Sequence, residues 1–134
     1  MIQPLPNTWQ PVLLSILRII SAYLFLLHGT AKFFGVPHVP YFDNLQIFSL
    51  IGVAGIIEIV FGILLLIGLF SRFSAFILSG LSAFAYFIGH ASKGNFFFPM
   101  LNGGESAVLF CFAFLYLCVA GPGPWSIDAA RNRA

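Results

Sequence analysis

Charge is what this sequence has least of. Its 134 residues include six Lys and Arg and four Asp and Glu, only 7% of the chain, against roughly a quarter in an ordinary soluble domain. So few ionised groups cannot coat a water-soluble globule, which excludes a soluble enzyme, a nucleic-acid module and a disordered tail. The net charge of +2 is too small to require a polyanionic partner, so no nucleic acid is expected. Cysteine is scarce as well: Cys111 and Cys118 are the two. On one helix their spacing separates them by roughly 10 Å along the axis, beyond the ~7 Å that a disulfide tolerates between Cα atoms. A dithiol relay built from this pair alone is excluded, and both read as small packing residues. HxxxH and CxxC spacings are missing, so no metal site is expected. Residues 1–11 hold no Lys or Arg, and no small-x-small site follows a short apolar run. The first apolar span is therefore expected to stay in the mature protein.

What is abundant is apolar: 60% of the residues, seventeen Phe among them, with a mean hydropathy of +0.99. That composition belongs in a lipid bilayer. A membrane helix needs roughly 20 apolar residues to cross a hydrocarbon core of about 30 Å. Four segments fit, at about 12–34, 47–70, 73–90 and 105–121, and a short tail, 122–134, follows the Gly121-Pro122-Gly123-Pro124 stop. Short connections make successive helices antiparallel neighbours. The expected fold is all-α: a single membrane domain over 1–134, built as an up-down-up-down four-helix transmembrane bundle. Arg72, Arg131 and Arg133 outnumber Lys32 and Lys93 on the opposite face, which places both termini in the cytoplasm by the positive-inside rule.

The informative residues are the polar ones inside these spans, because a charge near the bilayer centre costs at least ~2.5 kcal/mol. Glu58 is the deepest carboxylate. Gly52, Gly55 and Gly62 share its helix face, so that face points at a neighbouring helix rather than at lipid. On the first helix Arg18, Ala22, Phe25, Gly29 and Lys32 form one stripe. By depth and stem length Arg18 is the expected partner of Glu58, as a buried charge pair that sets helix register; a proton- or substrate-handling Glu58 is the alternative. A denser group lies at the outer end: His28, Lys32, His90, Asn102 and Glu105. It reads either as a capping motif, with Asn102 at the helix start and Glu105 complementing the dipole, or as an outer polar pocket for an anion or polar headgroup. Most Phe read as lipid-facing or core residues, with a stacked pocket for a quinone-like ring as the other reading.

Taken in order, several segments resemble the DoxX family of small bacterial membrane proteins. They are Leu17-Arg18 through His28-Gly29 to Lys32-Phe33-Phe34-Gly35; Gly55-Ile56-Ile57-Glu58 leading to Leu69-Phe70-Ser71-Arg72; Phe98-Pro99 with Asn102-Gly103-Gly104-Glu105; and the tail from Ala120 to Asp128. The resemblance covers roughly residues 12–128. It implies a multi-pass protein of the bacterial inner membrane. One branch of the family resembles the small subunit of a thiosulfate:quinone oxidoreductase, and another the membrane member of an assembly handling oxidative and thiol stress. The resemblance therefore implies a subunit that anchors or assists a redox partner, with quinone as the cofactor it raises. The chain carries no redox motif of its own, so catalysis by the chain alone is not expected. Two alternatives stand beside this: a binding or transport protein for a small lipophile or anion using the outer pocket, and a structural membrane scaffold. Homo-oligomerisation stays open.

Overall fold

Long apolar stretches closed by glycine set the elements. The computed structural model describes residues 3–4 and 6–133, and every regular element among them is helical. Met1, Ile2, Leu5 and Ala134, part of the expected 1–134 unit, lie outside the described residues. Helix α1 spans Trp9–Phe34, α2 Leu50–Ile67, α3 Ser71–Ala85, α4 Pro99–Asn102, α5 Glu105–Ala120 and α6 Ile127–Arg133. A 3-10 turn at Pro40–Phe42 lies between α1 and α2, while a π turn at Tyr86–His90 and a 3-10 turn at Ala91–Lys93 prolong α3.

Local chemistry explains where these bounds depart from expectation. α2 is shorter than 47–70. The Ser49 hydroxyl accepts the Gly52 N–H at 3.1 Å and starts it, and Gly68 takes the left-handed conformation (φ 74°) that ends it. α3 begins at Ser71, before the expected 73, because a carboxylate from the tail caps it. The tail is not featureless after its Gly-Pro stop: it carries the seven-residue α6. Three helical stretches, Trp9–Phe34, Leu50–Ile67 and Ser71–Lys93, are long and apolar enough to cross a membrane. α5 is apolar too, but its 16 residues fall short of a standard span.

α1 packs on α2, α2 on α3, α3 on α5, and α5 returns to α1. Partners across two of these interfaces run in opposite chain directions. Gly29 of α1 lies against Gly55 and Glu58, Leu26 against Gly62, and Arg18 against Gly68. Ser79 of α3 meets Cys111 of α5, and Arg72 meets Cys118. The apolar centre is Ala22, Phe25, Leu65, Ala75, Leu78, Phe114 and Leu117, with Phe25 edge-on to both Phe110 and Phe114. Polarity is inverted relative to a soluble protein. Arg18, Glu58 and Ser15, Ser21, Ser71, Ser74, Ser79 and Ser82 are buried, whereas Leu13, Ile20, Val53, Val60, Ile63, Phe73, Phe76 and Leu109 are exposed.

Candidate functional site

Two glycines let α1 and α2 approach closely enough to enclose a charge pair. A Cβ at Gly29 would stand 2.6 Å from Ile59 Cγ1, and one at Gly55 would stand 2.7 Å from Phe33 Cε2 and 3.0 Å from Lys32 Cδ. No other residue fits at either position without displacing the neighbour. One helical turn beyond each glycine, Lys32 Nζ donates to both oxygens of Glu58 at 2.6 and 2.7 Å, and the two side chains are only 10% and 8% exposed. The Phe42 ring lies 5.8 Å from the ammonium.

The expected Arg18–Glu58 pair does not form; Glu58 takes Lys32 instead. Side chains lean toward the N-terminus of their own helix. In this antiparallel pair Lys32 leans inward and Glu58 leans toward it, while Arg18 leans away. The helices are also staggered so that Arg18 faces Leu66 and Gly68 rather than Glu58, about 15 Å away along the axis.

Arg18 is nonetheless buried, 1% exposed, and it serves the tail. Its guanidinium donates to the carbonyls of Pro122 and Trp125, the latter at 2.6 Å, and reaches that of Leu66 at 3.5 Å. The Ser15 hydroxyl accepts the Trp125 N–H at 3.1 Å. A planar fork of donors suits this task, since Gly-Pro-rich backbone leaves carbonyls without helical partners. Three residues further on, Asp128 accepts the N–H groups of Phe70 (3.0 Å) and Ser71 (2.8 Å) at the start of α3, and its own N–H donates to Gly68 O at 2.9 Å. Burial pushes the Asp128 carboxyl up, but these hydrogen bonds and nearby Arg131 outweigh it and hold the group below its usual value. Arg72 donates to the carbonyls of Cys118 and Val119 at the end of α5, where helix carbonyls lack partners.

The five residues expected at the outer end do not converge. Lys32 is committed to Glu58. His28 is exposed on α1, with its ring against Phe25 and Phe110. Glu105 is exposed in the first turn of α5. Only His90 and Asn102 meet, His90 Nδ1 lying 3.2 Å from the Asn102 carbonyl oxygen. The Asn102 carboxamide donates to Tyr86 Oη and Asn95 O, and Tyr86 in turn donates to Phe96 O at 2.5 Å. Asn102 was expected to cap the last apolar helix. It ends α4 instead, and its Oδ1 accepts the N–H of Gly104, the residue that occupies the cap position of α5. These bonds tie the π turn to the 91–104 connection.

Several residues with structural work escaped sequence reasoning. Ser71, Ser74, Ser79 and Ser82 line the inner face of α3, and the Ser79 hydroxyl donates to Cys111 O at 2.8 Å. Their helical spacing was a usable signal in a span read only for its apolar length. Asp128 had no local signal, because its partners are 57 and 58 positions away. Between the start of α3 and the tail lies an open cleft of about 740 Å³, lined by Ser71, Arg72, Phe73, Asp128 and Arg131 among others. A smaller hollow of about 310 Å³ between α1 and α2 is wholly apolar, with Phe33, Phe34, Ile56 and Ile59 in its wall. Among the described residues, no three His, Cys, Asp or Glu side chains stand together as a metal site would require.

Comparison with known proteins adds a family and one relative. The family model described as DoxX matches residues 13–91. A protein of Haemophilus influenzae, described only as an uncharacterized protein, is 49% identical over 122 residues, spanning 90% of this chain and 91% of its own length. No solved structure matches.

Proposed function

The chain belongs to the DoxX family, and from that premise we propose that it is a multi-pass subunit of the bacterial inner membrane that anchors or assists a redox partner, thiol/sulfur- or quinone-linked. In this reading α1, α2, α3 and α5 are four spans of an up-down-up-down bundle with both termini in the cytoplasm. The inverted polarity of the helices supports a lipid surroundings, since apolar side chains form the outer wall and the charges lie within. α5 covers about 24 Å, a mismatch that local thinning of the bilayer and the polar Gly103-Gly104 entry accommodate. Trp9 and Trp125, both exposed near the tail end, suit an interfacial belt.

One observation favours an assisting subunit over a binding or transport protein: the Lys32–Glu58 pair. An outer anion pocket depends on the Lys32 ammonium, and Glu58 already neutralises it within the helices. Arg18 is likewise spent on tail carbonyls. What remains available is surface, which is what a partner needs. Purification in mild detergent, followed by native mass spectrometry and lipid extraction, tests this. A co-eluting oxidoreductase or a retained quinone is the expected result. A chain that elutes alone, free of quinone, and binds a small anion or lipophile saturably would overturn it.

A further inference from the structure

The cleft at the start of α3 combines features that neither the helix packing nor the tail contacts use up. Arg72 and Arg131 flank it, and Asp128 lies in its wall. Arg131 stacks its guanidinium 5.8 Å from the Phe70 ring. Arg72 spends one of its nitrogens, Nη1, on the end of α5. Ser71 also lines the cleft, but it is buried and sits against the Asp128 carboxylate, so it belongs to the cap of α3. Two arginines against one aspartate leave one net positive charge. The rim is apolar, Phe70 and Phe73 being 56% and 60% exposed.

We propose that this cleft binds the phosphodiester of an anionic glycerophospholipid, its oxygens held by Arg72 and Arg131 and its acyl chains lying over Phe70 and Phe73. Arginine is the side chain suited to phosphate oxygens, because its donors form a planar fork. Asp128 selects among phosphates. A phosphodiester brings one negative charge, whereas free phosphate near neutral pH approaches two, and the neighbouring carboxylate repels the second more. The cleft also lies at the ends of the apolar stretches of α2, α3 and α5, the level that headgroups occupy in the membrane-spanning reading on which this inference rests.

The test uses the full chain in nanodiscs of phosphatidylcholine with a minority of phosphatidylglycerol, and native mass spectrometry of the lipids it retains. The wild-type chain should retain phosphatidylglycerol over phosphatidylcholine. Arg131→Gln should lower that preference about fivefold, the share of one arginine at an anionic surface, and Arg131→Lys should keep most of it. Arg131 makes no side-chain hydrogen bond among the described residues, so its loss leaves the fold in place; helicity by circular dichroism checks that. Arg72→Gln should act in the same direction but also frees carbonyls of α5, so Arg131 decides. Millimolar inorganic phosphate should not displace the lipid; displacement would assign the cleft to free phosphate and overturn the headgroup inference. Equal retention of both lipids by a chain embedded in the disc overturns it too, while leaving the membrane reading intact. A chain that never enters the discs overturns both.

Discussion

A lysine stem carries its charge several ångströms from the Cα, and helix geometry decides in which direction. Lys32 and Glu58 each lean toward the other because their helices run in opposite directions, and the glycines at 29 and 55 bring the backbones close enough for two hydrogen bonds. Removing one partner leaves the other charge buried and unpaired, which costs about 3–5 kcal/mol. Lys32→Met and Glu58→Gln should therefore each lower the unfolding midpoint in detergent. The double variant should recover part of the loss, and Arg18→Met combined with Glu58→Gln should be merely additive. Single variants that melt like the wild-type protein would remove the pair from the account. That Arg18, Lys32 and Glu58 face inward was legible, because stripes of small residues mark packed faces. Their pairing was not: depth counted at the Cα ignores the lean of the side chain, which carries the charges of Lys32 and Arg18 both toward the N-terminus of α1, the first toward Glu58 and the second away from it.

Among the elements, α3 depends most on a distant residue. Its first N–H groups are closed not by a local Ser or Asn but by Asp128 from beyond the Gly-Pro stop. The Asp128 carboxyl is held below its usual 3.8. A lowered folded-state value means its stabilisation is fully present above the ordinary value and is lost as pH falls through the lower, folded one. Acid unfolding followed by helicity should thus show a limb below about pH 3.8 that Asp128→Asn flattens. The same substitution should cost about 1 kcal/mol at neutral pH, the worth of a helix cap. An unchanged acid limb in Asp128→Asn would assign the acid sensitivity to other carboxylates. The extent of α1 and α2 could be read from hydropathy and closing glycines, and α5 from the Gly103-Gly104 entry to the Gly121-Pro122 stop. α6 could not, because a seven-residue helix is held by its contacts rather than by its own pattern. The inner face of α5 was equally hidden. That helix is apolar on every side, and packing alone selects Phe114 and Leu117 for the interior.

At the scale of the whole molecule, composition carried most of the information. Seven per cent charge and long apolar runs leave an apolar exterior and an interior that must find partners for its charges, and Arg18, Lys32 and Glu58 are partnered in that way. The pairing also bears on orientation. Lys32 entered the charge count as an outer-face residue, but its ammonium lies between α1 and α2 and is neutralised there, so it does not act as a loop charge. Lys93 then stands alone opposite Arg72 and Arg131, with Arg133 adding to their side in sequence, and the bias toward a cytoplasmic tail strengthens. A reporter active only in the cytoplasm, fused after residue 134, should be active, and one that needs export should be silent. Adding three Lys to the 91–98 connection should erode or reverse that pattern, because it removes the imbalance, whereas Lys32→Met should leave it unchanged. An export-dependent reporter active at the C-terminus of the otherwise unaltered chain would invert the orientation, and with it the leaflet whose headgroups can reach the cleft beside Arg72 and Arg131.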